Sequence, residues 1–179
     1  MSRGQSGFSL TELAVNYAIV GILAAVIGTL IFQISRGTEL NNNNITSITQ
    51  VRNGGSWISN DTLMAEDVVT DSLEYPNFLV LSWTERSYTG GESIYHTVTY
   101  YFSDLVNNVG KLKRRHWNSA GLDEQIVVAS YIYYNLADPD NTSKATYLSP
   151  TLTVKLDSRL GNARETKEYQ TCYRATFEY

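Results

Sequence analysis

Between residues 13 and 32 every position is apolar except Asn16 and Thr29, with Tyr17 amphipathic, and no charge occurs from residue 13 to residue 35. Twenty residues rising about 1.5 Å each cover the roughly 30 Å hydrocarbon thickness of a bilayer. Eleven of them are Leu, Ile, Val or Phe, each worth about 0.3 to 0.6 kcal/mol toward insertion, roughly 3 to 7 kcal/mol together. That is enough to carry Asn16, and the run predicts a membrane-spanning helix. Arg36 and Glu39 mark the exit from lipid, followed by the polar asparagines 41 to 44, which are weak helix formers. Helical spacing resumes at Ile45, Ile48 and Val51, passes Gly54-Gly55, and continues through Trp57-Ile58 and Leu63-Met64-Ala65. The spacing predicts a helix from 45 to about 70, weak at the glycine pair, resting on a sheet through Trp57, Ile58 and Met64. Asp61, Glu66, Asp67 and Asp71 then read as its solvated face.

Beyond Pro76 the period changes to two. Strands are expected at 78–83 and 95–102, separated by a Tyr88-Thr89-Gly90-Gly91 turn, then at 111–117 after an Asn107-Asn108-Val109-Gly110 turn, and at 125–134. A run at 151–157 puts Leu152, Val154 and Leu156 on one face. The last run puts Tyr169, Thr171, Tyr173, Ala175, Phe177 and Tyr179 on one face and Glu168, Gln170, Cys172, Arg174, Thr176 and Glu178 on the other. The expected fold is α+β: a long amino-terminal transmembrane helix, then a globular head with an antiparallel β-sheet.

Composition sharpens this division. Twelve of the 13 tyrosines follow residue 70, so the lipid-like and strand-forming regimes separate along the chain. With 14 Lys and Arg against 18 Asp and Glu, bulk charge does not hold this chain to nucleic acid. The single cysteine, Cys172, excludes an intramolecular disulfide and any Cys-based metal site. The head has to rely on its own core, which about 130 to 140 residues can supply.

The residues before the apolar run are Gly4-Gln5-Ser6-Gly7-Phe8-Ser9-Leu10-Thr11-Glu12-Leu13, after a short leader carrying Arg3. An ordinary cleaved secretory signal has a shorter apolar region and no acid at its start. The segment resembles instead the class III signal of type IV pilins and type II secretion pseudopilins, matching G-F-[S/T]-L-x-E-L at every position. The likeness covers residues 4 to about 34. It implies a leader at 1–7, a transmembrane and assembly helix at 8–35, and an extracytoplasmic head at 36–179. It also implies cutting by prepilin peptidase between Gly7 and Phe8, methylation of the Phe8 amine, and pairing of Glu12 with the corresponding amine of a neighbouring subunit. A carboxylate near bilayer depth is costly unless paired, while its plain role is to sit favourably at a helix amino terminus. Ala14, Ala18, Gly21, Ala25 and Gly28 recur at spacings of four and three, a stripe of small residues along which another helix could approach. Two features depart from the commonest pilin pattern: no proline occurs before residue 76, and Asn16-Tyr17 lies inside the run.

In the head, His96 and His116 lack a spaced carboxylate motif for a metal, and Asp138-Pro139-Asp140-Asn141 lacks an EF-hand pattern. The dense basic stretch is Lys111, Lys113, Arg114, Arg115 and His116 with Trp117. On a strand, Lys111, Lys113, Arg115 and Trp117 share a face that suits a phosphate backbone with base stacking, or simply discourages edge pairing. No phosphate loop, nucleophile elbow or paired metal motif occurs, so neither an enzyme nor a cofactor is expected. The expectation is a minor pilin or minor pseudopilin. It is anchored in the cytoplasmic membrane with its head outside the cytoplasm, then assembled into a pilus or pseudopilus as an initiating or tip subunit. The head bears a loose likeness to J-type pseudopilins through Trp57, Ile58 and Asp61 before a Tyr-rich sheet. Its partners would be other pilin or pseudopilin subunits, prepilin peptidase, the membrane platform protein of the assembly machine, and the bilayer before assembly. Alternatives are a competence pilin that captures DNA and a signal-anchored protein that never polymerises.

Overall fold

A computed structural model describes residues 9–71, 73–86 and 92–173. Gly7, Phe8, the turn expected at 88–91 and the chain beyond Tyr173 lie outside them. The described elements are α1 (Leu10–Met64), β1 (Asp67–Val69), β2 (Asn77–Glu85), β3 (Ile94–Val106), β4 (Val109–Asn118), β5 (Asp123–Tyr133), β6 (Lys144–Leu148), β7 (Thr151–Leu160) and β8 (Ala163–Cys172). A long apolar helix followed by an antiparallel sheet is the α+β arrangement expected. By contacts the chain divides into two compact units, Met1–Asn42 and Asn43–Tyr179.

In the second unit every strand pairing is antiparallel, in the order β1-β2-β3-β4-β5-β7-β6, with β8 also paired to β7. β8 runs along the whole of β7, so β5 and β6 share the other edge, β6 at Thr151 to Lys155 and β5 at Ser158. β2 and β6 line one cavity of about 250 Å³ although four strands separate them in the sheet; the sheet is curled. Bulges help to curl it. Phe78 is an extra residue against β3, and β5 carries one on each side of Ala129, so Phe78-Leu79 and Val128-Ala129 are buried as pairs. The β3–β4 hairpin turns on Asn107 and Asn108, with φ of 52° and 63°, the paired left-handed conformation that asparagine tolerates in two-residue turns.

The concave face holds the core. Val51 and Ile58 of α1 pack there with Leu79, Leu81, Val98, Phe102, Leu112, Ile132, Leu152, Val154 and Leu156. The strand alternation of Leu152, Val154 and Leu156 is as expected. The helical stretch is not. It ends at Met64 rather than near 70, and Asp67 to Val69 form a strand instead. Trp57 and Met64 are 42% and 46% exposed; the buried stripe is Ser47, Val51, Gly54, Gly55, Ile58, Asp61 and Thr62.

The glycine pair is not a weak point. It is a place where helix and sheet approach closely. A Cβ on Gly54 would lie 3.0 Å from Leu156 Cδ1 and 3.3 Å from Ala129 Cβ, and one on Gly55 would run into the Tyr169 ring. Tyr169 in turn donates its hydroxyl to the Val51 carbonyl at 3.1 Å. Glycine is needed here for the space its missing side chain leaves.

Candidate functional site

The amino-terminal part of α1 begins with a reciprocal cap. The Ser9 amide donates to Glu12 Oε2 at 3.0 Å, and the Glu12 amide donates to Ser9 Oγ at 3.3 Å. This is the Ser-x-x-Glu capping box, two otherwise orphaned donors satisfied by one another's side chains. Glu12 is exposed, as are Ala14, Ala18, Gly21, Ala25 and Gly28, and a Cβ on Gly21 or Gly28 would meet nothing within 4 Å. The large apolar residues of this segment, from Leu13 to Ile34, are about half exposed or more. One helix is thus long and apolar enough to cross a membrane, with a carboxylate at its start and a stripe of small residues beyond.

In the head, β4 alternates as expected. Lys111, Lys113, Arg115 and Trp117 face outward while Leu112 and Arg114 face inward. The outward charges are largely answered: Arg115 makes a bidentate pair with Asp123 at 2.8 and 2.7 Å, and Lys111 reaches Asp104 at 3.0 Å. Arg114 does not belong to that face, because a strand's period sends it to the core.

There it meets Asp61. Arg114 Nε and Nη2 donate to Asp61 Oδ2 and Oδ1 at 2.7 and 2.9 Å, and the Tyr100 hydroxyl donates to the same carboxylate. Asp61 is 2% exposed, Tyr100 is fully buried, and the guanidinium lies 5.2 Å from the Trp57 ring centre. The carboxylate read as part of a solvated face is therefore the polar node joining α1 to β3 and β4. Burial, then the Asp61 charge and hydrogen bond, raise the Tyr100 pKa well above its ordinary value. Burial opposes the Arg114 charge, but the bonded Asp61 carboxylate outweighs it and holds the guanidinium's pKa up. Glu66, placed on the same solvated face, is half-buried and accepts the Thr84 amide at 3.1 Å, whereas Asp67 and Asp71 are exposed.

Comparison with known protein families, characterised proteins and solved structures finds no match.

The remaining head residues fall as follows. His96 and His116 lie side by side on β3 and β4, joined at 3.0 Å. Among the described residues no three His, Cys, Asp or Glu side chains are grouped to hold a metal ion. In the 138–141 loop the Asp138 carboxylate accepts from Asn141, and the Asp140 carbonyl accepts from Lys155. A second buried acid escaped the sequence reading: Asp157, fully buried, takes Arg159 Nη2 and Arg164 Nη2, each at 2.9 Å. The 250 Å³ cavity reaches Phe78 and Tyr134. Tyr134 has Phe102 stacked at 4.1 Å and Tyr75 at 6.2 Å, so its ring is already engaged.

Proposed function

We propose that the chain is a minor pilin or minor pseudopilin, held in the cytoplasmic membrane by the first part of α1 and assembled through it into a type IV pilus or type II secretion pseudopilus. One observation carries the reading. The stretch Gly7-Phe8-Ser9-Leu10-Thr11-Glu12-Leu13 runs into a helix, starting at Leu10, whose apolar side chains between Leu13 and Ile34 are about half exposed or more. Apolar surface of that extent needs lipid or other subunits. In this reading, cutting between Gly7 and Phe8 leaves an α-amine four residues before Glu12 in the chain. The Ser9–Glu12 cap then keeps that carboxylate at the helix start, where a neighbour's amine can pair with it in the low dielectric of the bilayer. The second part of α1 carries the head as the helix that fills the curled sheet. The stripe Ala14, Ala18, Gly21, Ala25 and Gly28 supports close helix approach during assembly.

Mass spectrometry of the protein isolated from its native host tests the processing step. The expected chain begins at Phe8 and carries one extra methyl; a chain retaining residues 1–7 overturns the reading. For assembly, Glu12→Ala protein is expected in the membrane at normal level but missing from sheared surface filaments. Normal incorporation would remove the assigned role of the carboxylate.

A further inference from the structure

At one end of the sheet the register sets Trp83, His96 and Asn118 opposite one another on β2, β3 and β4, with Leu81, Val98 and His116 in the next row. This brings the two histidines of the chain together. His96 Nδ1 lies 3.0 Å from His116 Nε2, and the rings meet edge to edge, their planes 27° apart and their centres 5.3 Å apart. The Trp83 indole stacks on His96 at 5.0 Å and on His116 at 5.6 Å. His96 is only 8% exposed, and its other nitrogen, Nε2, is 3.2 Å from Glu85 Oε2. Both nitrogens of a nearly buried imidazole are therefore engaged.

A hydrogen bond between two imidazole nitrogens requires one N–H and one lone pair. In the neutral pair His116 Nε2–H donates to His96 Nδ1, and His96 Nε2–H donates to Glu85. One extra proton leaves the bond intact. With two, both rings are imidazolium, two N–H groups confront each other across 3.0 Å, and the bond is lost. The charged groups around the pair are Glu85 on β2, Arg114 on β4, Glu124 opposite His116 on β5, and Asp61 on α1. The carboxylates favour protonation and Arg114 opposes it, with Asp61 already committed to Arg114.

We propose that His96 and His116 form a proton-operated latch, holding β2, β3 and β4 together through Trp83 until a second proton forces the two rings apart. The proposal is independent of the filament reading. Burial first, then Arg114 and His96, push the His116 pKa below its ordinary value of 6.5. The folded protein then binds fewer protons at this site than the unfolded chain. The stability the site contributes is full above pH 6.5 and is lost as pH falls through the lower folded value. The window opens at pH 6.5 and runs down through the lowered folded value, with the two protons taken up in coupled steps.

The test uses the full-length protein in detergent, labelled with nitrogen-15 at histidine, whose two imidazoles can be followed separately. His116 is expected to titrate below pH 6.5, with the His96 resonance sensing the change across their 3.0 Å contact. In Trp57→Phe/Trp117→Phe protein, the Trp83 fluorescence is expected to change over the same range as an imidazolium forms against the indole. The wild-type thermal midpoint is expected to fall by about 4 °C between pH 7.5 and pH 5, corresponding to roughly a kilocalorie for a head of this size. His116→Gln keeps an N–H for His96 Nδ1 but takes no proton, so the fluorescence step and most of that fall should vanish. Independent single-step titrations near pH 6.5, an unchanged Trp83 signal, or a step that persists in His116→Gln would each overturn the latch. If the variant does not fold, the wild-type titrations decide.

Discussion

Replacing Asp61 with alanine removes the acceptor that Arg114 and Tyr100 share and leaves Arg114, a residue 8% exposed, without its counter-ion. Breaking a buried pair in this way costs about 3 to 5 kcal/mol, far more than a solvent-screened pair is worth, because the remaining charge stays buried. For a head of about 140 residues a kilocalorie corresponds to about 3.5 °C in the thermal midpoint, so the loss is roughly 10 to 17 °C. The assay is the thermal midpoint of the full-length protein in detergent, read by near-ultraviolet circular dichroism, where packed tyrosines and tryptophans report on the head. Arg114→Met alone should cost less, since Asp61 keeps its Tyr100 bond. Asp61→Leu/Arg114→Met should recover most of the Asp61→Ala loss, because apolar residues of similar volume replace a buried ion pair at little net cost. The coupling is then strongly non-additive. A shift below 4 °C for Asp61→Ala, or strict additivity of Asp61→Leu and Arg114→Met, would show that the node does not join helix to sheet.

Gly55→Ala tests the close approach of α1 to β8. In an open helix the change should stabilise by up to about 1 kcal/mol, but against the Tyr169 ring it should destabilise by about 1 to 3 kcal/mol, with Tyr169→Leu restoring part of the loss; a stabilised variant refutes the contact. Tyr100, whose pKa is raised by burial and then by Asp61, holds its proton longer in the folded state. Stability should therefore fall as pH rises above about 10, and Tyr100→Phe should shrink that fall in a series of denaturant midpoints from pH 8 to 11. Arg115→Ala, next along the strand but facing outward on a half-exposed pair with Asp123, should leave the thermal midpoint almost unmoved, because solvent screens that pair. A loss comparable to that of Asp61→Ala would mean the two faces of β4 are misassigned.

Much of the architecture was legible because it rests on two periods. The charge-free run announced the first part of α1, and alternation located β2, β3, β4, β5, β7 and part of β8 within a few residues. β1 and β6 were not found. At three and five residues they are too short to show a period, and partners on β2 and β7 define them. The head part of α1 was misread in its face. Trp57, Ile58 and Met64 looked like the packing stripe because they are large apolar residues, yet Ile58 is buried and Trp57 and Met64 are exposed. The surface that packs is built from Ser47, Gly54 and Gly55 as well as Val51 and Ile58. Size misled where closeness of approach was the determinant.

The polar node shows how far a sequence can be pushed. Once Lys111, Lys113, Arg115 and Trp117 are assigned to one face of a strand, Arg114 has nowhere to go but the other face, beside Leu112. An inward arginine cannot stay unpaired, since a lone buried charge costs several kilocalories. A carboxylate is then required on whatever covers that face. Asp61 meets the requirement: it follows Ile58 by three residues and precedes Ala65 by four, which puts it on the buried stripe of the helix. Both signals were in the sequence, and each becomes decisive only when paired with the other. In the proposed reading the Glu12 argument has the same physical form, a carboxylate placed at membrane depth where water cannot serve it. Inside the head the partner lies in the same chain. At the helix start, the proposed reading supplies the cation for Glu12 from a neighbouring subunit's trimmed amine, which is why the mature amino terminus is the measurement on which that reading turns.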